Sequence, residues 1–411
     1  MCSVFCAERA LLLKLFRELE FPKQFRAGNP PQSGILTTIP ARTTKFGGIL
    51  TAWHEYVGVS HIHTTDSDGS KPISEIIKIG QEIGLDFLFF SDHMTLRSLQ
   101  LGLEGWHEKT FVLIGYEIHD QTNKNHYLAF DMNEVLSCEL TPQEYVKEIN
   151  QKGGLGIIAH PDETRVLPQF PPYPWTAWDA EGFDGIEIWN QMSEWMEGIN
   201  RLNQLKMFVS PRKALRSPTP KILRIWDELN QKRKIFGISG VDVHAHPYRI
   251  GPFKLIIFPY KVQFKSLRTH LLLDTPLSSD NQIAKKQIID AMKNCQLFIS
   301  NYRWGDAKGF SFYAKSKNQI AKIGESISFS EDVTLIIKTP QKCQIRLLHN
   351  GTIVSESVGK NLEYSAKEPG IYRVEAYVHK KGWIFSNHIW LNPLSPGGRL
   401  SEAKCIAGLG G

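Results

Sequence analysis

The chain has 411 residues, 42% apolar and 22% charged, a globular composition that excludes wholesale disorder. Its Lys and Arg outnumber its Asp and Glu by only 48 to 42, and they are scattered apart from Lys232-Arg233-Lys234. It therefore lacks the basic stripe of a dedicated nucleic-acid binder. Six cysteines without a CxxC pair (Cys2, Cys6, Cys138, Cys295, Cys343 and Cys405) exclude a disulfide scaffold and read as free thiols.

In chain order, Glu8, Arg9, Lys14, Arg17 and Glu18 interrupt the first twenty residues, so no signal-peptide core forms. Leu12, Leu15, Phe16 and Leu19 share one helical face instead. No apolar run approaches the ~18 residues of a membrane span. The expected location is the cytoplasm. Residues 24–50, rich in Gly, Pro, Thr and Ser, read as linker.

An alternation then begins. An apolar strand ends in His61-Ile62-His63. Ile73, Ile76, Ile77 and Ile83 recur at helical spacing, and Gly84 can close that helix. LDFLFF, a run apolar enough to be buried on both faces, ends in Ser91-Asp92-His93. FVLIGYEI and HYLAFDM follow. TPQEYVKEINQKGG carries helix signals at both ends: Thr141 as cap, Pro142 in the first turn, Glu144 completing a capping box, Gly153 as stop. LGIIAHP and FDGIEIWN are strands, Thr219-Pro220 repeats the helix start, and IFGISGVDVHAH, KLIIFPY and QLFISN continue the strands, with a helix over 281–294. Such alternation defines an α/β barrel or a doubly wound sheet. Polar residues at the strands' C-terminal ends favour the barrel, whose active sites lie there. Beyond Gly324 the pattern turns to short alternating strands with turns at Asn350-Gly351 and Pro369-Gly370, the marks of a small β-sandwich. The expected division is an N-terminal helix and linker (1–50), a barrel (51–318), an Ig-like β-sandwich (319–395) and a flexible tail (396–411).

The strand-end groups are His61, His63, Asp68, Asp92, His93, Glu117, His126, His160, Glu187, Asp242 and His244. Residues two apart on a strand point the same way, so His61 and His63 can grip one ion, and so can Asp242 and His244. Imidazole combined with carboxylate suits zinc, iron or manganese. Any one of these motifs alone reads as polar strand-end residues. Their recurrence on successive strands reads as a metal centre. His54, His107, His119, His270, His349, His379 and His388 read as ordinary histidines, and His246 is a candidate to face the mouth. The tryptophans of EIWNQMSEW read as packing over the barrel rim.

The pieces HIHTTDSDG, GLDFLFFSDH, GYEI, NHYLAF, GLGIIAHP and GVDVH, in this order over about residues 55–310, resemble the PHP (polymerase and histidinol phosphatase) family. The C-terminal GIYRVEAYVHKKGWIFSNHIWL is similar to the β module of a subgroup that includes carbaryl-hydrolase-like proteins. The resemblance implies a distorted (β/α)7 TIM-like barrel followed by a β-sandwich, with two or three divalent ions (Zn, Mn or Fe) at the barrel mouth. It implies that His61, His63 and Asp242 hold one ion. Glu117 would bridge to a second held by His93 and His126. Asp68, His160 and His244 would hold a third or share the second. The family's usual Asp or Asn before the first histidine is Ser60 here, which removes a support for the cluster.

The expected activity is water activation for hydrolysis of a phosphomonoester or nucleotide-like substrate, with His244 or Asp68 passing a proton to the leaving group. Arg165 and Arg249 are candidates to clamp an anionic small-molecule substrate. The same site could instead attack a carbamate, amide or ester, and a degenerate barrel serving only as a binding module is the contrasting class. No protein nucleophile is signalled, because the chain has no G-x-S-x-G elbow and no cysteine within the ligand motifs. The sequence leaves the oligomeric state open.

Overall fold

The computed structural model describes residues 42–393, apart from 47–48, 166–170, 201, 204–205, 208–209, 251–252 and 257. The described residues belong to one compact unit. The amphipathic helix expected at the N-terminus and the tail at 396–411 lie outside them.

Seven strands close a barrel: β1 (Ile49–Ile62), β2 (Phe87–His93), β3 (Thr110–Ile118), β4 (Tyr127–Phe130), β5 (Leu155–Ile158), β6 (Gly185–Asn190) and β7 (Phe236–Val243). Neighbours pair in that order, and β7 returns to β1. Every pairing is parallel except those of β4, which runs antiparallel between β3 and β5 and distorts the barrel. The helices form where the sequence signals them. Helix α1 (Ile73–Ile83) buries Ile73, Ile76 and Ile77 and stops at Gly84, whose φ is 77°. Helix α2 (Pro142–Gln151) has the full capping box between Thr141 and Glu144. Helices α3 (Gln191–Gly198) and α4 (Pro220–Asn230) follow, the latter capped by Thr219.

The barrel interior is packed. Phe87 and Phe89, Phe111 and Leu113, Leu128 and Phe130, Leu155 and Ile157, and Phe236 and Ile238 occur at period two and join one buried cluster. Truncating one of these phenylalanines to Ala would cost about 3–5 kcal/mol. The same inward face, followed toward the mouth, becomes His93 on β2, Glu117 on β3 and His126 just before β4. One alternation thus builds an apolar floor and a polar rim.

Two strands expected in the barrel series lie elsewhere. Phe253–Ile256, from KLIIFPY, pairs with Pro247–Ile250 as a separate hairpin, because β7 is already closed onto β1. QLFISN supplies β9 (Leu297–Asn301), which pairs antiparallel with β8 (Leu267–Leu273), and β8 in turn pairs with residues 54–58 of β1. With helix α5 (Asn281–Lys293), these strands pack under the barrel floor. The linker expected at 24–50 includes a strand, Arg42–Phe46, which pairs with Ile49–Trp53.

The all-β region grows from this floor. Besides the short strands Ile320–Lys322 and Ser326–Ser328, it contains β10 (Ser311–Lys315), β11 (Thr334–His349), β12 (Thr352–Ser365), β13 (Gly370–Val378), β14 (Lys381–Ser386) and β15 (Ile389–Asn392). Strand β11 serves two sheets. Before the register break between Lys338 and Cys343 it pairs with β10, and after it with β13. Strand β14 pairs with both β13 and β9, so one hydrogen-bonded path runs from β1 through β8, β9 and β14 into the module. Among the described residues, no helix is long and apolar enough to cross a membrane, and Cys138, Cys295 and Cys343 are free thiols.

Candidate metal centre

Simple strand alternation is not what brings His61 and His63 together. His61 has φ 65°, and the pairing of β1 slips between Val59 and Ile62 on one side and between Ser60 and Ile62 on the other. This bulge re-aims the strand end, leaving the two imidazole centroids 5.1 Å apart. Asp242 at φ 50° and His160 at φ 28° also adopt the left-handed region. Such conformations persist only where surrounding structure enforces them, and they concentrate at functional sites.

The turn after His63 is equally constrained. Gly69 N donates to Thr64 O at 2.7 Å, and a Cβ on residue 69 would lie 2.4 Å from His63 O. Asp92 pins the turn, accepting from Thr64 N (2.7 Å) and Thr64 Oγ1 (2.8 Å) and from Ser67 Oγ (2.6 Å). Tyr260 donates its hydroxyl to His63 O at 2.8 Å and accepts from Ser70 N at 3.2 Å. Asp68 is thereby carried to 3.2 Å from His244 Nε2, and to 3.7 Å from both His63 and His93.

Glu117 is the hub. Its carboxylate is reached by His126 Nδ1 at 2.7 Å, His61 Nε2 at 3.1 Å, His160 Nε2 at 3.3 Å, and His63 Nε2 and His93 Nδ1 at 3.4 Å. Asp242 lies 3.5 Å from His63 and 3.6 Å from both His61 and His244. Ligand-type atoms fall into four overlapping groups: His63, Asp68, His93 and His244; His61, His160 and Asp242; His61, His63 and Glu117; His93, Glu117 and His126. All nine residues expected from the sequence occur in them. The grouping differs from the one the resemblance implied, since His160 falls with His61 and Asp242 rather than with Asp68 and His244.

Electrostatics tests whether these residues fit cations. Glu117, Asp242 and Glu187 are all buried, and none forms an ion pair with Lys or Arg among the described residues. Burial alone would raise the Glu117 carboxyl, but His61, His93 and His126 hold it well below the ordinary range. Burial likewise opposes charge on His61, yet Glu187, Glu117 and Asp242 push its imidazole well above 6.5. His160 is raised to about 9 against its burial, by Glu117 and Glu163, whereas burial and His244 lower His63 to about 3. Both ring nitrogens of His63, His126 Nε2 and His160 Nδ1 are buried without a hydrogen-bond partner. Buried anionic carboxylates facing unpartnered imidazole nitrogens suit divalent cations, which balance the charge and use the free lone pairs.

The sequence did not reveal the role of Glu187. Its Oε1 takes His61 Nδ1 at 2.8 Å, and its Oε2 accepts from His160 N and Asn190 Nδ2, each at 2.8 Å. A histidine whose Nδ1–H is held by a carboxylate turns Nε2 toward the ligand. Glu187 thus supplies the support that Ser60 does not, since Ser60 Oγ donates to Ser239 O instead. Gly240 makes the room: a Cβ there would lie 1.8 Å from Glu187 Oε1. The available signal was a glutamate within the apolar strand IEIWN.

A cavity of about 430 Å³ is lined by Asp68, His93, Glu117, Asp242 and His244 of the cluster together with Arg165, Tyr173, Met192 and Phe258. Arg165 reaches this cavity, but its Nε and Nη2 both donate to Glu163 Oε1, at 2.9 and 2.6 Å. The side chain of Arg249 lies outside the described residues. His246 lines the cavity with its ring 5.4 Å from that of His244, and His119, read as ordinary from the sequence, lines it too. Trp189 packs edge-on against Phe385 of strand β14, and Trp195 edge-on against Phe258, which lines the cavity.

No family model matches the chain. An uncharacterized protein of Methanocaldococcus jannaschii is 31% identical over 116 residues, which cover 25% of this chain and 65% of that protein. The match therefore spans less than two thirds of the relative. Solved structures similar to the chain include a two-domain protein from Bacteroides vulgatus containing a predicted PHP-like metal-dependent phosphoesterase. It aligns at 13% identity and a TM-score of 0.39, over 86% of this chain and all of the other. PsfC from Pseudomonas syringae aligns at 14% identity and a TM-score of 0.37, over 57% and 88% of the two chains. An amidohydrolase from Chromobacterium violaceum aligns at 13% identity and a TM-score of 0.26, over 45% and 87%.

Proposed function

We propose that the chain is a metal-dependent hydrolase of anionic small molecules, acting as a phosphoesterase on a phosphomonoester or nucleotide-like substrate. The observation that carries this reading is the buried set of carboxylates and imidazoles at the barrel mouth, whose Glu117, Asp242 and Glu187 form no ion pair with Lys or Arg among the described residues. Two or three divalent ions, zinc, manganese or iron, would there acidify water and neutralise phosphoryl oxygens. His61, His63 and Asp242 would hold one ion, with His160 beside them. Glu117, His93 and His126 would hold another, and Asp68 with His244 completes the open side.

The chain's own residues do the rest. Glu187 fixes the ring of His61, and Tyr260 and Asp92 fix the turn that carries Asp68. Asp68 is the most exposed member of the cluster, with a side-chain exposure of 48%, and His244, at 16%, touches it. They are placed to hand a proton from His244 Nε2 to a departing oxygen. The apolar lining of the cavity supports a second reading, hydrolysis of a carbamate, amide or ester at the same centre.

The test is elemental analysis of the purified protein, followed by assays of the metal-loaded protein on phosphomonoesters, nucleotides and aryl carbamates. At least two equivalents of metal and turnover of a phosphomonoester are expected. Turnover of carbamates alone would replace the first reading by the second, and a protein that takes up no metal on reconstitution would remove both.

A further inference from the structure

We infer that the group carried by the reacting phosphate is a flat apolar one, an aryl group, rather than a sugar or other polyol. This rests on the phosphoesterase reading and concerns the part of the cavity lining that does not belong to the metal cluster. That part is bounded by Met192, Met196 and Phe258, which pack with Trp195, Ile199 and Met207 into a small apolar cluster of their own. Phe258 is fixed edge-on against Trp195, with centroids 4.7 Å apart. Tyr173 adds a ring stacked on His126, with centroids 5.1 Å apart and planes 25° from parallel. The imidazole beneath Tyr173 therefore belongs to the cluster that would hold the phosphoryl group, so a ring attached to that group emerges beside Tyr173.

The thioethers of Met192 and Met196 adapt to a planar ring and make favourable sulfur–aromatic contacts. Apart from the Tyr173 hydroxyl, the described side chains of this wall carry no hydrogen-bond donor, so polyol hydroxyls facing them would lose hydration without replacement. The lining residues Asn123 and His246 are exposed, where a polar substituent would stay hydrated anyway. Arg165 is the one permanent cation among the described lining residues. Its guanidinium is neutralised by Glu163 and lies 5.1 Å from the centre of the Tyr173 ring. It acts here as a fixed support for Tyr173 rather than as a free clamp for a second phosphate.

The experiment separates recognition from leaving-group reactivity by using phosphonates, which are not hydrolysed. Binding of 1-naphthylmethylphosphonate and of 2,3-dihydroxypropylphosphonate to the metal-loaded protein is measured by calorimetry. The naphthyl compound is expected to bind at least about tenfold more tightly, the gain from burying a ring against an apolar wall. Met192→Glu, at a partly exposed position, adds the same charge repulsion for both phosphonates and is expected to bring the ratio of their affinities close to one. Equal affinities, or a preference that Met192→Glu leaves intact, would overturn the inference and leave the phosphoesterase reading standing. Failure of both phosphonates to bind a protein shown to carry metal would overturn that reading and the inference with it.

Discussion

The histidine–carboxylate network at the barrel mouth differs from a second buried one among the described residues, where helix α4 meets the β module. At the junction, Asp227 receives Arg373 through two hydrogen bonds of 2.6 and 2.8 Å and His388 Nε2 at 2.8 Å. Glu375 takes the third arm of Arg373 at 2.7 Å and the hydroxyl of Tyr377 at 2.7 Å. Each carboxylate there meets a permanent cation. At the mouth, Glu117 and Asp242 form ion pairs only with imidazoles among the described residues. The contrast teaches how to sort buried charge: a network closed by its own residues holds structure together, and one left open calls for ions from outside.

The largest expected effect breaks the open network. Glu117→Ala removes the carboxylate that five histidines share, and is expected to lower both metal content and hydrolysis. The rate should fall by about 10²–10³-fold or more, the scale for removing a charge-stabilising group from an active site. Elemental analysis and a phosphomonoester assay read this out, while the melting temperature of the metal-free protein should change far less. A variant that kept its full metal complement would contradict the role given to Glu117.

The matching cut through the closed network is Arg373→Met. It strands Asp227 and Glu375 in the interior, which costs about 3–5 kcal/mol, visible as a lower denaturation midpoint. Metal stoichiometry in the folded fraction should be unchanged. Loss of metal at equal folded fraction would show that the two networks are coupled.

Glu187→Gln sharpens the comparison, because it changes a residue that orients a ligand without supplying one. Metal affinity is expected to fall about 10–100-fold while the fold is retained. Gly240→Ala should reproduce this loss by pushing Glu187 aside. An unchanged affinity in both variants would mean that His61 is oriented by something else.

The two networks also differ in how far the sequence disclosed them. The mouth was legible because its residues recur at the C-terminal ends of successive strands, and the period-two pattern that marks Phe87 and Phe89 leads directly to His93. The capping signals at Thr141 and Thr219 likewise located two helices. Strand position was harder to read. QLFISN and KLIIFPY are as apolar as barrel strands, and only the closure of β7 onto β1 excludes them. The junction was invisible for a different reason: Asp227 and Arg373 are 146 residues apart, and each taken alone reads as an ordinary surface charge. Glu187 lay between these cases, since its strand was recognised but its pairing with His61 depends on the space beside Gly240.

The smallest expected effect is the pH response of the closed network. Burial by itself would raise the Asp227 carboxyl, but the Arg373 guanidinium and the hydrogen bond with His388 outweigh it and hold the group down to about 2. An unfolded chain would titrate this carboxyl near its ordinary 3.8. The folded state therefore binds the proton less readily than the unfolded one. The resulting stabilisation is complete above about pH 4 and is lost as pH falls toward 2, and it amounts to about 2 kcal/mol. Denaturant unfolding of the metal-free protein at pH 5 and at pH 3 should show part of that loss on top of the share from the mouth carboxylates, and Asp227→Asn should make the difference smaller. A slope between pH 5 and 3 that is undiminished in Asp227→Asn would place the acid sensitivity in the mouth carboxylates rather than at the junction.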